Sequence, residues 1–355
     1  MKFALYSLLI ALGFSNTSEA DVFTTLTTEN YSQSFAIYDL VKEQANDVEQ
    51  GELIYSHTRF ELGASYQGLG IAYLQRLDAV VLHSFDAALI YYYDKRDTLD
   101  IPNRDYNYAL KVNTVESQGA TFFYEYRPID NFLIKLNVDV ATTDFHYDGL
   151  VDGVITYQQE ELVATADLEW TYERDVLFDR DVIPAKGELL ASSVVLGGAS
   201  EYGQHQLTVA DFYHKVKWER VPYTKVRANT DRVGGFTDDG KLKIRPLGSG
   251  VDGFRDVEQT FEPRYYFYND LDLPVGGILL NIDYVADQWW PQLGYRFPLG
   301  SQSHVAKVAY SFEDDSLELS YAYKRNFSLS VRLDETSYQK AHRFNLGLSL
   351  RLFEF

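Results

Sequence analysis

The sequence predicts an all-β protein: a transmembrane up-and-down antiparallel β-barrel of about sixteen strands, with fourteen to eighteen compatible with the pattern. Three observations point there. Apolar and polar residues alternate with a period of two in segment after segment. The first twenty residues carry an apolar run too short to cross a bilayer as a helix. Aromatic residues make up 15% of the chain, with 28 Tyr and 22 Phe, while no later apolar run approaches the length of a helical span.

A period of two sends neighbouring side chains to opposite faces of a strand. Phe60, Leu62, Ala64 and Tyr66 alternate with Arg59, Glu61, Gly63 and Ser65, and Ile134, Leu136, Val138 and Val140 alternate with Lys135, Asn137 and Asp139. Leu162, Ala164, Ala166, Leu168, Trp170 and Tyr172 oppose Thr165, Asp167, Glu169, Thr171 and Glu173. Near the C-terminus, Ala306 to Phe312, Leu317 to Tyr323 and Phe327 to Leu333 repeat the pattern with short connections, as a meander requires. The last segment, Phe344, Leu346, Leu348, Leu350 and Leu352, is backed by Asn345, Gly347, Ser349 and Arg351. A soluble β-sandwich also alternates. Its strands average five or six residues, whereas a tilted membrane strand needs about 9–11, nearer the lengths seen here.

The N-terminal end fits a secreted chain. Met1-Lys2 is a basic start, Phe3 to Phe14 is apolar, and Ser18-Glu19-Ala20 places small residues where a signal peptidase would cut. Residues 1–20 therefore read as a signal peptide, with Asp21 as the mature N-terminus. No Cys occurs anywhere, so disulfides, thiolate metal sites and a lipoprotein anchor are excluded. Residues 21–52 alternate poorly. Ser34 to Asn46 reads as a short amphipathic helix with Phe35, Tyr38 and Val41 on one stripe, so 21–52 is expected to be a periplasmic arm or plug and 53–355 the barrel. The connections at 94–104, 144–160, 174–186 and 232–261 read as long loops, although the strand parity does not put all four on one side. Clusters Tyr91-Tyr92-Tyr93, Tyr265 to Tyr268 and Trp289-Trp290 are expected in interfacial belts.

On these features the chain resembles the outer-membrane β-barrel proteins of Gram-negative bacteria, over essentially all of its length after residue 20. The resemblance implies a bacterial outer-membrane location, contact with membrane lipid and lipopolysaccharide, and recognition of the C-terminal strand ending in Phe355 by barrel-assembly machinery. A homo-oligomer or a periplasmic partner would also fit. Phe353 and Phe355 fall on the opposite parity from Leu346 to Leu352. Either a bulge shifts the phase near Leu352, or the two Phe residues lie beyond the membrane band.

The net charge of −20 argues against nucleic acid as a partner. Within this acidic chain, residues 211–245 hold nine Lys/Arg against five Asp/Glu. Lys215 and Lys217 share a face; after an expected turn at Val221-Pro222-Tyr223, Lys225 and Arg227 share the next; then Lys241, Lys243 and Arg245 alternate with Leu242 and Ile244. A Lys or Arg facing mid-bilayer lipid costs about 2–4 kcal/mol, so these residues are expected to line the lumen as an anion-selective wall. Pairing with Asp167, Glu169 and Glu173, or contact with lipopolysaccharide phosphates, are the competing explanations. The Arg232–Asp256 stretch suits a long loop folded into the pore. Asp238-Asp239-Gly240 lacks the remaining calcium-loop spacing, so no metal is expected. No cofactor is implied.

An enzyme is not expected. The seven His include His83 beside Ser84, which point to opposite faces, and no G-x-S-x-G or H-E-x-x-H motif is present. A same-face pair such as Asp144 with His146 keeps a membrane-embedded hydrolase as a third reading. The leading expectation is a channel for small polar or anionic solutes. The alternative is a plugged structural, assembly or export barrel that works with a partner.

Overall fold

Backbone amides inside a membrane have no water to bond, so a sheet that crosses it must close on itself. The computed structural model, which describes residues 20–96, 101–158, 161–173, 185–229, 235–236, 242–243, 248–300, 303–324 and 326–354, shows that closure. The chain starts with β1 (Ala20–Ser32) and the hairpin β2 (Leu53–Tyr66) and β3 (Leu69–His83). Three long strands follow: β4 (Arg104–Ile129), β5 (Phe132–Gln158) and β8 (Gly203–Asn229), with β6 (Glu161–Tyr172) and β7 (Gly187–Ser200) between the last two. A two-residue pair, β9 (Gly235–Phe236) with β10 (Leu242–Lys243), precedes β11 (Gly248–Gln259) and β12 (Arg264–Asp272). Short strands complete the ring: β13 (Gly277–Val285), β14 (Gln288–Pro298), β15 (His304–Ser311), β16 (Leu317–Tyr323), β17 (Phe327–Leu333) and β18 (Arg343–Glu354).

All pairings are antiparallel. β18 pairs back onto β1, from Tyr31–Arg343 to Asp21–Glu354, and closes a barrel of fourteen strands. This is fewer than the sixteen expected because two positions in the ring are each filled by two strands in succession. β6 and β7 both lie between β5 and β8, and β11 and β12 both lie along β8.

The expected alternation holds with the apolar face outward. Leu62, Leu136, Val140, Leu280, Leu293, Leu319 and Leu329 are exposed on the outer wall, while Leu74, Ala191 and Val216 face a packed interior. The terminal strand obeys it too. Phe23 pairs with Arg351 and Val22 with Phe353, so the backbone register steps past Leu352, the bulge that the sequence offered as one explanation of the phase change. The aromatic clusters split instead of forming belts. Tyr91 to Tyr93 sit in a helix outside the barrel, and Trp289 faces out while Trp290 is buried inward.

Residues 21–52 need correction. Ala20–Ser32 is a barrel strand paired on both edges, not an arm or plug. Its alternation is weak because Thr fills much of its outer face, with Thr24 and Thr28 at outward positions. The expected helix is present but short, α1 (Ile37–Val41), and it lies at the end of the barrel opposite both termini. The second helix, α2 (Phe85–Lys95), is capped by Ser84, whose hydroxyl accepts from the Ala87 amide at 3.1 Å. Phe35 of the first connection packs edge-on against Tyr91 of α2. β3, β5 and β8 also run toward this same end. Residues 144–158, taken as loop from the sequence, are the distal half of β5. Two- to five-residue turns join the strands at the other end, the arrangement of short periplasmic turns and long extracellular connections.

The outward register of β18 predicts an asymmetry. Leu348→Arg should cost about 2–4 kcal/mol, whereas the neighbouring Ser349→Arg, which points into the lumen, should cost far less. Urea unfolding of the lipid-reconstituted protein reads both.

Candidate functional site: a charged septum across the lumen

Charged side chains survive on the inward face of a barrel because they meet one another there instead of lipid. Arg76 and Asp78 lie two apart on β3 and so point the same way, into the lumen. The Arg76 guanidinium is fully buried. It donates through Nε to Asp78 Oδ2 at 2.5 Å and through both terminal nitrogens to Asp211 of β8, at 2.8 and 2.6 Å. This two-pronged contact uses the planar fork that only Arg offers. A further bond of 3.3 Å reaches Asp139 of β5.

The network continues on either side. Arg264 of β12 donates to Asp211 at 2.5 Å and to the Tyr55 hydroxyl at 3.0 Å. His57 Nδ1 lies 2.7 Å from Asp78 Oδ1. Arg59 grips Asp139 with two bonds of 2.6 and 2.9 Å and Glu61 with two of 2.6 and 3.1 Å. The Tyr266 hydroxyl donates to Glu29 at 2.9 Å. In the closed ring, β12 and β1 stand seven strands apart in either direction, so the Tyr266–Glu29 bond joins opposite walls. The bond from Arg264 to Tyr55 spans nearly as far.

Above this septum a vestibule of about 740 Å³ is lined by Leu53, Tyr55, Asp78, Leu82, Asp211 and Arg264 among others. Below it lie a small space of about 290 Å³ beside Arg264 and Tyr266 and a chamber of about 640 Å³ with Gln206, Asp270, Lys307, Ser320 and Ser330 on its walls, and Tyr268 lines both. The lumen is thus two polar-floored compartments with paired charges between them. A second cluster seals the short-strand side. Asp314 bonds both Arg332 and Arg343, and the Arg343 guanidinium stacks 4.5 Å from both the Tyr31 and Trp290 rings.

Of the basic residues expected to line the pore, those on β8 that the structure describes do not do so. Val216 and Trp218 are buried inside, and Lys215 and Lys217 therefore point outward, level with the outward residues Val140 and Leu190. The reason is packing: Val216 and Trp218 join Val115, Leu189 and Ala191 in an interior apolar core instead of meeting lipid, and the bulge at Asp211, with φ of +57°, leaves the parity of β8 unchanged, since Thr208 and Ala210 before it and His214 and Val216 after it all face inward. The expected turn at Val221–Tyr223 is also absent, since β8 runs straight through it to Asn229. Lys225 and Arg227 sit on the part of β8 that extends beyond the ring, paired with Glu169 at 2.9 Å and Asp167 at 2.7 Å, and Lys215 pairs with Glu258 at 2.7 Å. The pairing with Asp167 and Glu169 is thus the explanation that fits these two. The Arg227 guanidinium holds the Asp167 carboxyl below its usual range, and Arg255 followed by Lys225 does the same for Glu169. Lys241 and Arg245 lie outside the described residues, and only the backbone of Lys243 falls within them.

Sequence reasoning noticed Arg59, Glu61 and Asp139 as polar alternates but not that they meet Arg76, Asp211 and Arg264. The signal was faint: Arg76 and Asp78 share a phase, but Asp211 sits on a bulge that hides its face, and Arg264 opens a strand. The Asp78–His57 pair is the one acid–histidine contact in the lumen among the described residues. No hydroxyl is bonded to that His57 ring among those residues. His146, in turn, packs 4.1 Å from Trp218, and the side chain of Asp144 lies outside the described residues.

Removing Arg76 would leave Asp211 and Asp78 with less counter-charge in a buried setting. Arg76→Ala should destabilise the barrel by about 3–5 kcal/mol, and Arg76→Lys should recover little of it because the fork is lost. Unfolding midpoints of the three proteins test this.

No family model matches the chain, and no curated protein does. Among solved structures, the toluene transporter TbuX of Ralstonia pickettii aligns at 10% identity and a TM-score of 0.31, covering 95% of this chain and 89% of that one. The outer-membrane transporter YddB of Escherichia coli aligns at 8% identity and 0.23, covering 92% and 55%. The outer-membrane protease OmpT of Escherichia coli aligns at 8% and 0.18, covering 96% and 99%. At those scores none of them bears on what this chain does. The closed ring, its apolar exterior and its polar lumen stand independently of them: the protein is a closed antiparallel β-barrel of the membrane-spanning kind.

Proposed function

We propose that this barrel is a channel for small polar solutes, closed at rest by the septum around Arg76. The observation that carries the reading is the chain of bonds from Glu29 and Tyr55 to Arg264, Asp211 and Arg76, which spans the lumen between two solvent-sized compartments. A barrel needed only as an anchor has no reason to keep hollow spaces on both sides of a thin barrier. Here the barrier is built from the walls themselves, so opening requires only that side chains exchange partners. Ion pairs suit that task, because each guanidinium has more than one carboxylate within reach. Arg76 contacts three.

Selectivity by a basic wall is not part of this reading. Lys215 and Lys217 face outward, and Lys225 and Arg227 are neutralised by acids beyond the ring.

The test is single-channel recording in a planar bilayer. Wild-type protein should show small and infrequent currents. The double variant Asp211→Ala/Arg264→Ala removes one charge of each sign and leaves Arg76 with Asp78 and Asp139, so it should fold and conduct several-fold more. A variant that folds, as read by heat-modifiable gel mobility, yet stays as silent as the parent would overturn the proposal.

A further inference from the structure

The vestibule above the septum has walls unlike its floor. Leu53, Val80, Leu82, Phe85, Phe261 and Val285 line it, and Leu82 remains 43% exposed although it faces the lumen. An inward leucine so exposed marks apolar wall that no side chain fills. A concave, largely apolar space of this size with few convergent polar groups is the usual form of a small-molecule site.

The charges decide what kind of molecule. In the floor, Asp78 and Asp211 are matched by Arg76 and Arg264 and have no spare charge to offer. Around the walls stand Glu52, Glu262 and Asp287 against the single Lys111. Asp287 accepts from the Tyr284 hydroxyl at 2.6 Å, which leaves a carboxylate oxygen available. Glu52 and Glu262 are exposed, and neither carboxylate is in an ion pair among the described residues. The chain's net charge of −20 adds a field that concentrates cations at such an opening.

We infer that the vestibule binds small amphipathic organic cations, such as aromatic amines. The apolar body lies against Leu82, Phe85 and Phe261, and the ammonium group is held by Glu52 and Glu262. This gives the channel proposed above its solute class and so rests on that reading. Binding itself does not require the septum to open, and the two ideas fail separately.

Three probes with nearly the same body test the inference: 2-phenylethylamine, 2-phenylethanol and 3-phenylpropionate. Each is titrated calorimetrically into the full mature protein in nanodiscs, with empty nanodiscs as the blank. The amine should bind about tenfold more tightly than the carboxylate, the alcohol falling between them, which corresponds to about 1.4 kcal/mol. Glu52→Gln/Glu262→Gln should bring the amine down to the level of the alcohol. Phe261→Ala should weaken all three alike, which separates loss of the apolar wall from loss of charge. Equal binding of amine and carboxylate, tighter binding of the carboxylate, or a preference untouched by the double Gln variant would each overturn the assignment. Amine binding to a barrel that never conducts, even with Asp211→Ala/Arg264→Ala, would preserve the site and remove the channel.

Discussion

The seam between β1 and β18 is the constraint on which everything else depends. An open sheet in a bilayer leaves two rows of amides and carbonyls facing hydrocarbon, each group costing several kcal/mol. Pairing from Asp21–Glu354 to Tyr31–Arg343 removes both rows at once. Closure then creates an inside. Only because the ring is sealed do Arg59, Arg76, Arg264, Arg332 and Arg343 have a face on which charge is tolerated. The seam contributes directly to that interior, since Glu29 and Tyr31 on β1 and Arg343 on β18 all belong to the lumenal clusters.

Within the lumen, electrostatics and packing divide the work. On the long-strand side, Val115, Leu189, Ala191, Val216 and Trp218 fill the space as a conventional apolar core. Across the middle the contacts are ionic, and the two differ in what they permit. Apolar packing has one good arrangement, and small displacements leave voids. In the lattice of three arginines among Asp78, Asp139, Asp211 and Glu61, each guanidinium has more than one carboxylate within reach.

The fold class was legible because it rests on a pattern repeated around the ring, and errors in single strands do not erase it. Segments such as 60–66, 134–140, 306–312 and 327–333 show the correct outward face from sequence alone. The site was not legible, for two physical reasons. First, alternation separates two faces without saying which is the outer one, and on β8 the apolar Val216 and Trp218 pack into an interior core instead of against lipid. That inward packing is what puts Lys215 and Lys217 on the exterior. Second, alternation gives a face but no neighbour. Arg76 and Asp211 are separated by 135 residues and meet only through ring closure, which no local spacing encodes. β1 escaped notice for a different reason: threonines on its outer face blur the alternation that marks its neighbours.

The strand lengths are unevenly distributed round the ring, and this sets an order of events. β13 to β18 are joined by short turns, such as Ala286–Asp287, and each strand pairs with the one just made. Loop closure is slight for each, so this half can zip progressively. The seam is the opposite extreme: Asn30 and Asn345 come together across 315 residues of chain. It has to form last, after both flanking sheets exist to present their edges. Glu29 on β1 reaches Tyr266 on the opposite wall only at that moment. The septum is therefore a late product of assembly, and a barrel whose seam has not yet closed is one in which the two compartments are still continuous.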